Sequence, residues 1–170
     1  LLNIQSTSFN DIFLIHCPEE TLHIHHNGRG HFVTSTSIGG TVTLYDSLNM
    51  KPSPELIKQI TAIYSPDIHV TPHILQATIP HTQHGGVDCG LFAIAYAFDL
   101  ATGFNPCDII YNQPLMRDHL LCCLESGQMC TFPRYRTDES RNRFEDVTHH
   151  LPTTDKWSPS KKPAKKTTSP

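Results

Sequence analysis

The chain has 170 residues, of which 38% are hydrophobic and 17% charged, and its formal net charge is −3 at pH 7. This length allows one domain with its own core, and no apolar run reaches the roughly 18 residues of a transmembrane helix, so we expect no membrane contact. Residues 1–130 carry four basic and eleven acidic side chains, whereas residues 131–170 carry nine basic and five acidic ones. Because an acidic body is unsuited to a phosphate backbone, binding of nucleic acid by residues 1–130 is not expected.

Six cysteines are spread along the chain, at positions 17, 89, 107, 122, 123 and 130. Small secreted domains that depend on disulfides are richer in cysteine than this chain. Four of the six lie in or beside apolar patterns, where buried free thiols are common. No secretory leader pattern is found at the start of the sequence. These features favour a reducing, intracellular location, in the nucleus or the cytoplasm.

A β-hairpin is the clearest element of the first half of the chain. Two short strand patterns precede it, at 11–16 and 21–26. Residues 31–37 and 41–46 alternate in polarity, are rich in β-branched side chains and flank the pair Gly39–Gly40, which predicts the turn. His31 begins the first of these strands and Asp46 ends the second. Antiparallel pairing therefore brings an imidazole beside a carboxylate.

Helical patterns dominate the rest of the body. A helix is predicted over 53–64, with Ser53 as N-cap and Pro54 in the first helical position. The other expected elements are a strand at 73–79, a loop at 80–87, a helix at 88–102 and a last helix at 114–126, ended by Gly127. Helix 88–102 is apolar nearly all round, so we expect it to be the buried central helix, with Asp88 as its cap.

The polar C-terminal region differs in composition from the body. The apolar periodicity stops after Phe132, and residues 156–170 contain five lysines, three prolines and no acidic residue. Such a composition cannot bury enough apolar surface to fold. The predicted organisation is a folded domain over 1–130 and a polar, partly basic, disordered tail over 131–170.

The segment 83–90, Gln-His-Gly-Gly-Val-Asp-Cys-Gly, carries the strongest chemical signal. Cys89 is predicted in the first turn of a helix, where the helix dipole and free N–H groups favour a thiolate, the nucleophilic form. A nearby histidine such as His31 can complete its activation, with Asp46 orienting that histidine. The amide of Gln83 and a backbone N–H near Cys89 can donate to an oxyanion. Singly, these residues also fit a buried core thiol, a polar strand end and turn residues; together they favour catalysis.

These motifs resemble those of a known protease family. His31-Phe32, Tyr45-Asp46-Ser47 and the Gln83–Gly90 segment, in this order, resemble the ubiquitin-like-protein proteases, the SUMO/NEDD8-deconjugating cysteine proteases related to the adenovirus protease. The likeness is greatest to divergent copies in transposon-derived genes of animals, and it covers about residues 10–126. The resemblance implies an α/β cysteine protease fold, with a mixed sheet packed on a central helix that carries the nucleophile at its N-terminus.

The resemblance also implies the roles of the site residues. His31 would be the general base, Asp46 its partner, Gln83 the oxyanion-hole residue and Cys89 the nucleophile, without a cofactor or metal. The partner would be a ubiquitin-like modifier or its conjugate. The sequence departs from the family at Phe32, where the family has Trp. It also has little of the segment that precedes the first strand in the family, so we expect part of the N-terminal portion of the domain to be missing.

Alternative functions stay open. Bacterial effector acetyltransferases share the order His, acid, Cys, although Gln83 and the triplet Asp88-Cys89-Gly90 favour the protease. A binding module that holds a ubiquitin-like partner without cleaving it is the second alternative. The sequence gives less support to a metal site. The residues His23, His25 and His26 fit a polar edge strand better than a metal site, and Cys122, Cys123 and Cys130 lack paired zinc spacing and are interpreted as packing residues.

Overall fold

The computed structural model describes residues 20–65, 67, 69–136 and 145–146. Its architecture is mixed, with a four-stranded sheet, three α-helices and a three-stranded sheet, which confirms the coarse α/β class. The predicted strand 11–16, Cys17 and the segment 156–170 lie outside the described residues. Among the described residues, no helix combines the length and apolar character needed to cross a membrane.

The four-stranded sheet contains the predicted hairpin. Its strands are β1 (Leu22–His26), β2 (Phe32–Thr36), β3 (Val42–Tyr45) and β4 (Ile74–Gln76), in that spatial order. β1 and β3 each pair antiparallel with β2, whereas β4 pairs parallel with β3. Thr34 is opposite Tyr45, so His31 and Asp46 fall just beyond the paired strands at one end of the sheet. Gly39 has a φ of 80°, which suits a residue without a Cβ in the turn.

β4 is shorter than the strand predicted over 73–79. The Ala77 amide still donates to the Leu44 carbonyl at 2.9 Å. Beyond Ala77, the backbone forms hydrogen bonds with the Asn49 side chain rather than with the backbone of β3. The Ile79 amide donates to Asn49 Oδ1 at 2.9 Å, and Asn49 Nδ2 donates to the Ile79 carbonyl at 2.8 Å. A side-chain amide offers the same donor and acceptor as a strand backbone, so these hydrogen bonds are satisfied without β structure.

α1 (Pro54–Tyr64) covers one face of this sheet. The Ser53 hydroxyl oxygen accepts a hydrogen bond from the Leu56 amide at 3.2 Å, which confirms the predicted N-cap. The apolar side chains buried together between helix and sheet are Val33, Leu44, Leu56 and Ile60.

The histidines of β1 form part of the interior. Among the described residues β1 pairs only with β2, in line with the predicted polar edge strand, but its His23 and His25 are buried rather than exposed to solvent. His25 Nε2 lies 2.6 Å from Ser35 Oγ, and its Nδ1 lies 3.2 Å from Gln59 Oε1. Because both ring nitrogens are engaged, the imidazole is a satisfied core group and has no lone pair left for a metal.

α2 (Cys89–Ala101) is the central helix, as predicted. The Thr34 hydroxyl donates to the Ala93 carbonyl at 2.8 Å, a buried bond that joins β2 to α2. The core around the helix consists of Tyr45, Ile79, Leu91, Phe92, Ala95, Tyr96, Ile109, Tyr111, Met116 and Phe132. Packing of the hairpin against this helix places the His31 end of the sheet beside the start of α2.

The second sheet corrects the predicted start of the tail. After a short 3₁₀ helix (Pro106–Asp108), β5 (Ile110–Tyr111) pairs antiparallel with β6 (Arg134–Arg136), which pairs with β7 (Glu145–Asp146). Residues 131–136 were expected to belong to a disordered tail, and for them the prediction is wrong. These residues contact α2, where the buried Asp99 carboxylate accepts a hydrogen bond from the Tyr111 hydroxyl at 2.6 Å and faces Arg134 Nη1 at 3.5 Å. A buried charge needs a partner, and β6 supplies the cation.

α3 (Gln113–Ser126) lies between β5 and β6 in the chain. It ends at Gly127, whose φ of 68° is the left-handed conformation that commonly ends a helix, so the predicted stop is confirmed. The first turns of α3 reach the loop that precedes α2, and its last turn faces the segment that leads to β6.

Candidate active site

The side chains of His31 and Asp46 form a buried contact at the end of the hairpin. His31 Nε2 lies 2.7 Å from Asp46 Oδ1, and the side chains are 8% and 4% exposed. Asp46 Oδ1 also accepts from the Leu48 amide at 2.8 Å, and Oδ2 accepts from the Met50 amide at 3.0 Å. Three donors therefore fix the carboxylate, and the turn that follows β3 supplies two of them.

The pairing with Asp46 determines the tautomer of a neutral His31. A carboxylate can only accept hydrogen bonds, so Nε2 must carry the proton. The unprotonated, basic nitrogen is then Nδ1. His31 is thereby prepared to take a proton through Nδ1 and to hold the resulting positive charge against Asp46.

Cys89 is the first residue of α2 and is buried. Its Sγ lies 3.9 Å from the carbonyl oxygen of Gly30, the residue before His31. At the next helix position, a Cβ built on Gly90 would lie 3.6 Å from the Phe32 ring, so this glycine permits close contact between α2 and β2. No histidine among the described residues has its imidazole hydrogen-bonded to Cys89 Sγ. Such contacts are often long without substrate and shorten in the reacting complex.

Asp88 does not cap α2, which corrects the sequence-based prediction. Its carboxylate accepts instead from two side chains of α3, from Gln113 Nε2 at 2.7 Å and from Arg117 Nη2 at 2.5 Å. Among the described residues, no side chain forms a capping hydrogen bond with the first turn of the helix, whose N–H groups have no partners within the helix. Backbone donors beside Cys89 therefore remain available for an oxyanion.

Gln83 is buried and is held by the residue that follows Asp46. The Ser47 hydroxyl donates to Gln83 Oε1 at 2.6 Å, and the Gln83 amide donates to the Ser47 carbonyl at 3.0 Å. Gln83 Nε2 donates to the Gly85 carbonyl at 2.8 Å. A carbonyl only accepts, so this contact fixes the orientation of the side-chain amide. The amide nitrogen has two N–H bonds, and the second has no acceptor among the described residues, so it could donate to an oxyanion.

The loop before α2 is also held from its other side. Gln113 Oε1 accepts from the His84 amide at 2.7 Å, and Gln113 Nε2 donates to the His84 carbonyl at 2.9 Å. The same Nε2 reaches Asp88, so one glutamine joins both ends of the glycine-containing segment 84–88. Sequence reasoning missed Gln113 and Arg117. The only available signal was the presence of hydrogen-bonding side chains at the start of the last predicted helix.

The hydroxyl of a core tyrosine near the site lies in an environment that disfavours its ionisation. Burial, and then the negative charge of Asp46, raise the pKa of Tyr96, which lies two turns after Cys89 on α2. The Asp46 carboxylate thus lies within electrostatic reach of the central helix. Burial also raises the pKa of Asp99, which the Tyr111 hydrogen bond and the Arg134 charge oppose.

The four predicted site residues thus lie on connected elements. His31 and Asp46 are in direct contact, Gln83 is attached to Asp46 through Ser47, and Cys89 lies against the residue before His31. Comparisons with protein-family models, with curated proteins and with solved structures give no match. The geometry of the residues is therefore the basis on which function is argued.

Proposed function

We propose that this chain is a cysteine peptidase of the ubiquitin-like-protein protease type, which cleaves after the C-terminus of a ubiquitin-like modifier. The observation that carries the proposal is the buried His31–Asp46 contact of 2.7 Å at the sheet end against which the Cys89 thiol lies. A buried imidazole held by a fixed carboxylate is the arrangement that a general base needs. The likeness of the surrounding motifs to that family supplies the reaction and the substrate class.

In the proposed reaction, the Cys89 proton moves to His31 Nδ1 and the thiolate attacks the carbonyl carbon of the scissile peptide. The oxyanion that forms accepts hydrogen bonds from Gln83 Nε2 and from backbone N–H groups of the first turn of α2. As the intermediate collapses, the C–N bond breaks and the imidazolium gives its proton to the leaving amine. Water, deprotonated by His31, then attacks the thioester, releasing the modifier C-terminus and restoring the thiol.

The role of Asp46 in this mechanism is to orient and to stabilise. It holds Nε2–H of His31, which leaves Nδ1 as the base, and it balances the charge of the imidazolium. Three hydrogen bonds from N–H groups hold the carboxylate in place for this role.

A binding module that holds a modifier without cleaving it is the second candidate. The observation that favours it is the thiol contact, because the only hydrogen-bond acceptor of Cys89 Sγ among the described residues is the Gly30 carbonyl. A carbonyl cannot take up a proton, so a thiol that stays there is unreactive. The two candidates differ in whether substrate binding brings the sulfur to His31 Nδ1.

Single-turnover cleavage of modifier fusions tests the proposal. Ubiquitin, SUMO and NEDD8, each with a peptide fused after its C-terminus, would be incubated with the chain and with Cys89→Ala. Cleavage of at least one fusion that requires Cys89 is the expected result. Binding of a fusion by both proteins without cleavage by either would favour the binding module. Transfer of an acyl group from an acyl-CoA to Cys89 would instead favour an acyltransferase.

A further inference from the structure

Three potential metal ligands meet where α3 ends and the chain turns towards β6. They are the Nε2 atom of His119 and the sulfurs of Cys123 and Cys130, and all three atoms lie within 4.8 Å of one another. Among the described residues, this is the one group of three or more His, Cys, Asp or Glu side chains so arranged. It shares no residue with the candidate active site. We propose that it is a zinc site with one imidazole and two thiolate ligands.

Two of the three distances between ligand atoms match those around a tetrahedral zinc ion, and the third lies within 4.8 Å. Cys123 Sγ lies 3.5 Å from His119 Nε2 and 3.6 Å from Cys130 Sγ. Zinc–sulfur bonds of about 2.3 Å and zinc–nitrogen bonds of about 2.0 Å, at tetrahedral angles, separate sulfur from nitrogen by about 3.5 Å and two sulfurs by about 3.8 Å. Two edges of the coordination tetrahedron are thus already present. The fourth position would be taken by water.

Local structure explains how the three ligands converge. His119 and Cys123 are four residues apart on α3, so they lie on the same face of the helix. Gly127, in the left-handed conformation, ends the helix and reverses the chain, and the Gln128 amide donates to the Cys123 carbonyl at 3.1 Å. This turn brings Cys130 back onto the face that carries His119. The spacing His-x₃-Cys-x₆-Cys has no Cys-x-x-Cys pair, which is why the sequence did not indicate zinc.

The chemistry of the ligands favours zinc over the alternatives. Two thiolates, from the buried Cys123 and from Cys130, balance the charge of the ion, so the complex is neutral. Thiolate and imidazole ligands suit zinc, whereas magnesium and calcium prefer oxygen. His119 Nε2 now lies 3.2 Å from the Cys130 carbonyl, and zinc would replace this contact. A Cys123–Cys130 disulfide is the competing outcome, and it would require the sulfurs to approach from 3.6 Å to about 2.0 Å.

A zinc ion here would stabilise the return of the chain to the core. The His119 ring centroid lies 5.0 Å from that of Phe132, a buried core residue two positions after Cys130. Beyond Phe132, β6 supplies the Arg134 that faces Asp99. The ion would therefore join α3 to the segment that closes the second sheet, and metal binding would favour the folded chain.

Metal titration of the full chain tests the site. Every protein would carry Cys89→Ala, so that the thiol beside His31 cannot bind metal, and would be kept reduced. Zinc content, cobalt absorption and the thermal midpoint would be measured for this parent and for Cys130→Ser, Cys123→Ser and Cys122→Ser. Cys130 is exposed, so its substitution should leave folding intact, and the exposed Cys122 is the matched control on the same helix.

We expect one zinc per chain, sulfur-to-cobalt charge-transfer absorption and a rise in the thermal midpoint on adding zinc. Loss of an outer-sphere partner typically weakens metal binding by roughly 10- to 100-fold, and Cys130→Ser and Cys123→Ser should weaken zinc binding by more than this. Cys122→Ser should bind zinc like the parent. Absence of stoichiometric zinc, equal binding by Cys130→Ser, or a Cys123–Cys130 disulfide that persists in reductant would each overturn the proposal. These outcomes leave the proposed peptidase activity unaffected, since that activity is measured separately.

Discussion

Ser47 and Gln83 are joined by two hydrogen bonds, one from the Ser47 hydroxyl to Gln83 Oε1 at 2.6 Å and one from the Gln83 amide to the Ser47 carbonyl at 3.0 Å. Ser47 is the residue after Asp46, so the same turn of chain holds the carboxylate beside His31 and the glutamine of the loop before Cys89. The proposed base and the proposed oxyanion donor are therefore positioned by one segment of the chain rather than independently.

Substitution of Ser47 by Ala should lower turnover by about 10-fold, which is less than the roughly 100- to 1,000-fold loss on removing an oxyanion donor. The hydroxyl only orients the Gln83 amide, so its loss should act through Gln83. A double-mutant cycle checks this, because Ser47→Ala should add little in a Gln83→Ala background. Additive effects of the two substitutions would show that Ser47 acts on something other than Gln83.

Removal of the Gln83 amide should slow cleavage by about 100- to 1,000-fold, or roughly 2.7–4 kcal/mol, with little change in binding of the modifier. Gln83→Glu should be at least as harmful, since a carboxylate repels a developing oxyanion. Single-turnover rates and binding constants of both variants give the result, with the exposed Gln128→Ala as matched control. Unchanged cleavage in both Gln83 variants would falsify the oxyanion role.

Asp46→Asn should be nearly as harmful as Asp46→Ala, despite its similar shape. An asparagine amide can donate to His31 Nε2, which moves the imidazole proton to Nδ1 and removes the base. The corresponding change in serine-protease triads lowers turnover by about 10⁴-fold. Turnover of the two variants and of His31→Ala is the measurement. An Asp46→Asn enzyme with near-normal turnover would show that the tautomer argument is wrong.

Gln113→Ala should reduce turnover more than it reduces stability. The side chain holds both backbone groups of His84 and one oxygen of Asp88, so its loss releases the loop that carries Gln83 towards Cys89. Urea unfolding and single-turnover cleavage on the same preparation separate the two effects. A loss of stability that fully accounts for lost activity would mean that Gln113 only supports folding.

Protonation of His25 should destabilise the protein below neutral pH. Burial, and then the charge of His23, lower its pKa from 6.5 to about 4, against a raising effect of Gln59. Between pH 6.5 and about 4, the unfolded chain binds this proton and the folded chain does not. The free energy of unfolding therefore falls as the pH decreases from 6.5 to 4.

Unfolding by urea at pH 7 and pH 4.5 measures this effect. The loss of stability attributable to His25 should be about 2–3 kcal/mol at the lower pH, as each pKa unit corresponds to about 1.4 kcal/mol. His25→Gln should show a correspondingly smaller dependence on pH, whereas the exposed His73→Gln should behave as the parent. Equal pH dependence in all three proteins would contradict the assignment.

Local sequence patterns correctly predicted the turn and the two helix ends that depend only on neighbouring residues. The hairpin around Gly39–Gly40, the N-cap Ser53 and the stop at Gly127 follow from turn and capping chemistry, which a few neighbouring residues determine. The closeness of His31 and Asp46 followed from the same hairpin. Predictions of this kind require no knowledge of how distant elements pack.

Contacts between distant parts of the chain could not be predicted in this way. The carboxylate of Asp88 suits a helix cap in sequence, but Gln113 and Arg117 compete for it successfully in the folded protein. The strand β6 places Arg134 3.5 Å from the buried Asp99, which lies more than thirty residues earlier in the chain. The His119 cluster likewise depends on a chain reversal that brings Cys130 back to α3.

Labelling by modifier probes tests the central claim most directly. Ubiquitin, SUMO and NEDD8 with electrophilic C-termini would be incubated with the full chain, and the labelled residue would be identified by peptide mapping. The account predicts that at least one probe forms a covalent adduct with Cys89 alone, that His31→Ala slows labelling strongly, and that the exposed thiols Cys122 and Cys130 stay unlabelled. An adduct on another cysteine, or equal labelling of Cys89 in His31→Ala, would contradict it.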